Sequence, residues 1–203
     1  MIIGLTGGIA SGKSTVSSIL DELGAALIDS DKLAHDVLKE KPVCDRIIEN
    51  FGTQVLNENG EVNRSRLGEI VFNDPEKRKR LENITHPVII SRIHKKIKEY
   101  EKQNRIIVLD APLLFKVNLD RIVDQTWVVY VDRETQIKRL MARSTLNYED
   151  ARARVESQLS LEKKKAMADV VINNMHSIAQ LKTDVIQRWR DLCENKKDSP
   201  DCT

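Results

Sequence analysis

Residues 7–14 read Gly-Gly-Ile-Ala-Ser-Gly-Lys-Ser, and they constrain the chain more tightly than any other stretch. The spacing is G-x-x-x-x-G-K-[ST]. Before it, Ile2, Ile3, Leu5 and Thr6 form a short apolar run of the kind that makes a buried parallel strand. After it, Val16, Ile19, Leu20 and Leu23 recur at helical spacing, and Gly24 supplies a stop. Residues 25–28 are a second apolar run, closed by Asp29. Strand, glycine loop, helix and strand make a βαβ unit. Glycines let such a loop turn its backbone N–H groups inward onto an anion, and the helix behind it offers its positive end to the same anion. Gly8, Ile9, Ala10, Ser11, Gly12, Lys13, Ser14 and Thr15 are therefore the expected ATP-binding loop. Lys13 can reach the β- and γ-phosphates, and the Ser14 hydroxyl can ligate Mg²⁺.

The rest of the chain extends the same pattern. Residues 30–100 read as mainly helical, punctuated by Pro42, the 57–60 turn and Asp74-Pro75. That is too long for a simple crossover and predicts an inserted helical subdomain. Pro87 restricts His86 to extended geometry, so a helix break is expected there. Residues 106–109 predict a third strand ending at Asp110, 126–131 a fourth ending at Asp132, and 170–172 a fifth ending at Asn173-Asn174. Ile178, Leu181, Val185, Ile186, Trp189 and Leu192 share one face of a closing helix, and the tail from Glu194 is expected to fray. Apolar strands alternating with helices imply an α/β fold with a parallel sheet covered on both faces. Ligands of such sheets bind at the carboxyl ends of the strands, where the polar residues collect here.

Composition removes several classes. The formal net charge of +2 is far from that of a nucleic-acid-coating protein, and eight aromatic residues are too few for a base-stacking platform. No apolar run reaches the roughly 18 residues of a membrane span, and the N-terminus lacks the basic start of a secretory signal. Cys44, Cys193 and Cys202 are odd in number and far apart, which fits a reducing cytoplasm.

Beyond the loop, Asp29 and Asp31 stand two residues apart after the second strand, and they point the same way if strand geometry persists. Either can serve as base for an attacking hydroxyl, or as a helix cap. Residues 133–165 hold nine basic and five acidic side chains. Arg139 and Arg143, four apart, share a helix face and can close on a triphosphate. Lys163-Lys164-Lys165 and the basic run 77–80 read as solvated surface. Asp110 occupies the place of an acid that holds Mg²⁺.

These segments resemble, in order, those of the dephospho-coenzyme A kinase family. The stretches are LTGGIASGKST, IDSDKLAHDV, GEVNRSRLGEIVF, ITHPVI, DAPLLF, the pair Arg139 and Arg143, ARARVESQ and ADVVINN, covering residues 1 to about 190. The resemblance implies a phosphate-loop kinase with a three-layer α/β/α fold: a five-stranded parallel core, a helical acceptor subdomain and a lid. On this pattern the core comprises residues 1–31, 104–139 and 158–193; the acceptor subdomain is 32–103, the lid 140–157 and the flexible tail 194–203. It implies transfer of phosphate from ATP to the ribose 3′-hydroxyl of dephospho-CoA, giving CoA and ADP. Asp31 is then the base; Lys13, Arg139 and Arg143 assist transfer; Thr6, Asp29, Arg64, His86, Pro112 and Leu113 fall on the acceptor side, Asn174 on the adenine side. Ser14 and Asp110 are the metal positions. ATP and dephospho-CoA are the implied partners of a cytoplasmic monomer or weak homo-oligomer, with no nucleic acid or membrane.

The chain departs from the family at Lys116, where Glu is usual, and at Met175-His176, where Gly is frequent. A kinase for another nucleotide or small metabolite, and a phosphate-loop regulatory protein that transfers nothing, are the competing readings. The GTPase class is set aside on the expectation that its guanine-reading signature, Asn-Lys-x-Asp, is absent from the chain.

Overall fold

In the computed structural model, which describes residues 1–72, 74–103 and 105–197, the strands appear where the apolar runs lie. The chain runs through β1 (Ile2–Gly7), α1 (Lys13–Glu22), β2 (Ala26–Asp29), α2 (Ser30–Val37), α3 (Lys41–Phe51), α4 (Arg64–Phe72) and α5 (Pro75–Glu101). It continues through β3 (Ile107–Asp110), β4 (Gln125–Tyr130), α6 (Arg133–Ser144), α7 (Tyr148–Glu156), α8 (Leu161–Met167), β5 (Val170–Asn173) and α9 (Ile178–Lys197). The five strands form one parallel sheet in the order β2-β3-β1-β4-β5, with β1 in the centre. β1 pairs with β3 from Ile2↔Ile107 to Leu5↔Asp110, and with β4 from Ile3↔Gln125 to Gly7↔Val129. That register brings the carboxyl ends of β1 and β3 side by side.

Two compact units are present. The first holds residues 1–28 and those from 100 onward; the second holds 29–99. The first is organised by a cluster around Ile3, Leu5, Val16, Leu20, Val108, Trp127, Val129 and Val185, which packs α1 and α9 on the sheet. Gly24, at φ 96°, ends the α1 turn as its sequence position predicts, with its N–H on the Asp21 carbonyl and the Ala25 N–H on that of Leu20. The second unit has its own core of Val37, Val43, Ile47, Phe51, Val55, Leu67 and Ile84.

Two sequence expectations are corrected. His86-Pro87 does not break a helix: α5 is continuous across it. An interior proline removes one helical hydrogen bond and costs about 3 kcal/mol. Ile84 is buried in the second core and Val88 and Ile89 pack on it, so burial on both sides of the proline holds the helix together. At the other end, α9 runs to Lys197, so the first four residues of the expected tail are helical. No Gly or Pro interrupts the sequence before Pro200, and Leu192 anchors the preceding turn in the core. Residues 198–203 lie outside the described ones.

Candidate phosphate-binding site

The loop between β1 and α1 ends in a left-handed turn. Gly12 has φ 89°, and a Cβ there would overlap the side-chain amide of Asn174. That position therefore needs glycine twice over, for conformation and for space. Asn174 is 7% exposed, and its Nδ2 donates to the Ser11 carbonyl at 2.8 Å. Its own carbonyl accepts from Arg139 Nη2 at 2.9 Å. The residue assigned by sequence to the adenine side thus ties the loop to β5 and α6.

Ile9 is gripped from two directions. Its N–H donates to Gln158 Oε1 at 2.9 Å, and its carbonyl accepts from Gln136 Nε2 at 2.8 Å. Ile9 and Ala10 pack against Ile137, Leu140, Ala151 and Val155, the apolar faces of α6 and α7. The helix pair that includes residues 140–157 therefore rests directly on the loop. Arg139 is half-buried and Arg143 is exposed on α6. Met175, just after Asn174, accepts the Asp132 N–H on its Sδ at 3.3 Å.

Lys13 forms an ion pair with Asp110, whose residue is 6% exposed at the end of β3. Ser14 and Thr15 are exposed in the first turn of α1. Among the described residues no group of three or more His, Cys, Asp or Glu side chains is gathered to hold a metal. Mg²⁺ takes one or two carboxylates, oxygen donors such as a hydroxyl, and the phosphates of its substrate. Ser14 offers a hydroxyl and Asp110 a carboxylate, donors of the kind such an ion would take. The Ser11 hydroxyl is fully buried with no hydrogen-bond partner, an unmet polar atom inside the loop.

The sequence misses one residue outright. Lys164, taken with its neighbours as solvated surface, is 5% exposed. Its Nζ donates to the Gly7 carbonyl at 2.6 Å and to the Pro112 carbonyl at 2.9 Å. Burial, with the Lys13 charge nearby, lowers its ammonium to about 8. The signal was the helical spacing: Lys164 stands three residues after Leu161, which is also buried. Thr6 Oγ1 donates to the same Pro112 carbonyl at 3.2 Å, while Leu113 is exposed.

The second unit carries the remaining candidates. β2 ends at Asp29 and α2 begins at the next residue, so the strand geometry that would have pointed Asp29 and Asp31 the same way does not persist. Asp29 caps α2, accepting the Lys32 N–H at 2.9 Å; Asp31 is exposed in the first turn. Arg64 Nη1 lies 2.8 Å from His35 Nδ1, joining the start of α4 to α2. His86 is half-buried on α5.

The guanine-reading spacing expected to be absent is present in the chain. Residues 195–198 do read Asn-Lys-Lys-Asp. The first three lie within α9 rather than at the carboxyl end of a strand, where α/β sheets bind their ligands.

A parallel five-stranded sheet carrying G-x-x-x-x-G-K-S after its central strand defines a phosphate-loop kinase fold. The model of the dephospho-CoA kinase family matches residues 1–180. A dephospho-CoA kinase from Carboxydothermus hydrogenoformans is 48% identical over 194 residues, covering 93% of this chain and 94% of that one. A Thermus thermophilus crystal structure superposes with TM-score 0.82 at 32% identity, covering 95% of this chain and 97% of the other. A dephospho-CoA kinase structure from Campylobacter jejuni gives TM-score 0.65 at 33% identity, covering 94% and 96%. The chain belongs to the dephospho-CoA kinase family.

Proposed function

We propose that this chain transfers the γ-phosphoryl group of ATP to the ribose 3′-hydroxyl of dephospho-CoA, giving CoA and ADP. The observation that carries the reading is the family match over residues 1–180, because it spans the 29–99 unit as well as the phosphate loop. A phosphate loop by itself serves many reactions and names no acceptor. In this reading the loop N–H groups and Lys13 bind the triphosphate, and Asp31 accepts the proton of the attacking hydroxyl. Arg139 and Arg143 neutralise charge that develops on the transferring group. Thr6, Asp29, Arg64, His86, Pro112 and Leu113 serve the acceptor, and Asn174 orders the nucleotide side. Mg²⁺, held by Ser14 and Asp110, would neutralise phosphate charge. Residues 140–157 act as the lid and 32–103 as the acceptor subdomain.

The chain is also proposed to act in the cytoplasm, as a monomer or weak homo-oligomer. Cys44 and Cys193 are unpaired, and among the described residues no helix is long and apolar enough to cross a membrane.

Acceptor preference tests the assignment. With Mg²⁺-ATP, kcat/KM for dephospho-CoA should exceed that for adenosine or AMP by about 1,000-fold, equivalent to about 4 kcal/mol of differential transition-state binding. Equal rates with adenosine would mean that the pantetheine-bearing end is not recognised, and the acceptor assignment would fail.

A further inference from the structure

Among three consecutive lysines in α8, only Lys164 is buried; Lys163 and Lys165 are exposed. Its charge meets no carboxylate in the hydrogen bonds it makes. It is taken up by two main-chain carbonyls, those of Gly7 and Pro112, from segments 105 residues apart in sequence. Burying an ammonium this way is costly, so the arrangement calls for a reason. Its position supplies one. Gly7 opens the phosphate loop, and Pro112 follows Asp110 by two residues.

We propose that Lys164 is a positioning residue for phosphoryl transfer, clamping the entry of the phosphate loop to the segment that carries Asp110. The proposal rests on the kinase reading above. A planar trans peptide points its C=O and N–H in opposite directions. Fixing the Gly7 carbonyl on Lys164 therefore also fixes the direction of the Gly8 N–H, the first N–H after Gly7 in the loop. A loop that binds anions works only while its N–H groups face the anion and its carbonyls face away. The cation collects the negative end of that first peptide and keeps it from turning. The second bond, reinforced by the Thr6 hydroxyl on the same Pro112 carbonyl, holds the chain just beyond Asp110. Lys13 and Asp110, already paired, are thereby supported from both backbones at once.

The proposal separates Lys164 from its neighbours and ATP from the acceptor. Four purified proteins are compared: wild type, K164M, K164R and, as a control, K163M. Binding of a non-hydrolysable ATP analogue is measured by calorimetry, turnover by ADP release with dephospho-CoA, and folding by thermal melting. K164M should weaken analogue binding about 10-fold and lower kcat about 30-fold, while KM for dephospho-CoA, whose side includes Pro112, should rise no more than about threefold. K164R, which keeps the charge and the donors, should recover at least part of both losses, and K163M should match wild type. Wild-type affinity and kcat in K164M would overturn the proposal, as would losses that K164R leaves wholly unrepaired. Should K164M not fold, K164Q is read on the same scales: full activity from that uncharged side chain overturns the clamp, and a loss repaired in K164R supports it. A wild type that binds the analogue and transfers nothing would sink the kinase reading instead, while the analogue affinities would still decide the role of Lys164.

Discussion

Replacing Lys13 by alanine should lower kcat with ATP and dephospho-CoA by about 1,000-fold or more, a loss of about 4 kcal/mol of transition-state stabilisation. The reason is its place at the end of the phosphate loop, within reach of the β- and γ-phosphates. Lys13 is half-buried at the start of α1, placed by the αL turn at Gly12. Lys164, a second cation at the loop, is committed to two carbonyls and does not take its place. Truncation also strips the buried Asp110 of its ion-pair partner, so some loss of stability accompanies the loss of rate. Thermal melting reports the first effect, and single-turnover ADP formation with saturating ATP reports the second. A variant that keeps kcat within tenfold of wild type would remove Lys13 from the γ-phosphate.

Asp31→Asn is expected to be nearly as damaging but for a different reason. A positioned general base contributes about 10²- to 10⁴-fold. The amide is isosteric and cannot accept the proton at neutral pH. Asp31 is exposed in the first turn of α2, so the fold should survive, with about 0.5 kcal/mol lost from the helix N-terminus. The expected pattern is kcat down about 100-fold or more, with KM for ATP and for dephospho-CoA within about threefold of wild type. Unchanged turnover would show that Asp31 is not the base. Asp29 would be the next residue to test, although its carboxylate is already engaged as the cap of α2.

Much of the fold was legible because its signals are local. β1 and its glycine loop, the stop at Gly24 and the short apolar runs of β2 to β5 each declare themselves within about ten residues. The separate helical stretch showed in its length alone. What was not legible depends on partners far away in sequence. Pro87 reads as a break to any local rule, and only the burial of Ile84 with the packing of Val88 and Ile89 shows why the helix continues. The Asn174 amide on Ser11, the two glutamines on Ile9 and the Lys13–Asp110 pair join segments 97 to 163 residues apart. Lys164 lies between these cases. Charge made it look like surface, while its spacing from Leu161 already placed it on the buried face of α8. A lysine at an apolar helical position signals a specific partner for its ammonium, and here the partners are two carbonyls at the edge of the phosphate loop.

The most direct measurement is the mass of the acceptor after incubation with Mg²⁺-ATP, with ADP followed in the same sample. Dephospho-CoA should gain one phosphoryl group on its 3′-hydroxyl, matched one for one by ADP. ADP formed while dephospho-CoA keeps its mass, or ATP bound with no transfer at all, would contradict the assignment.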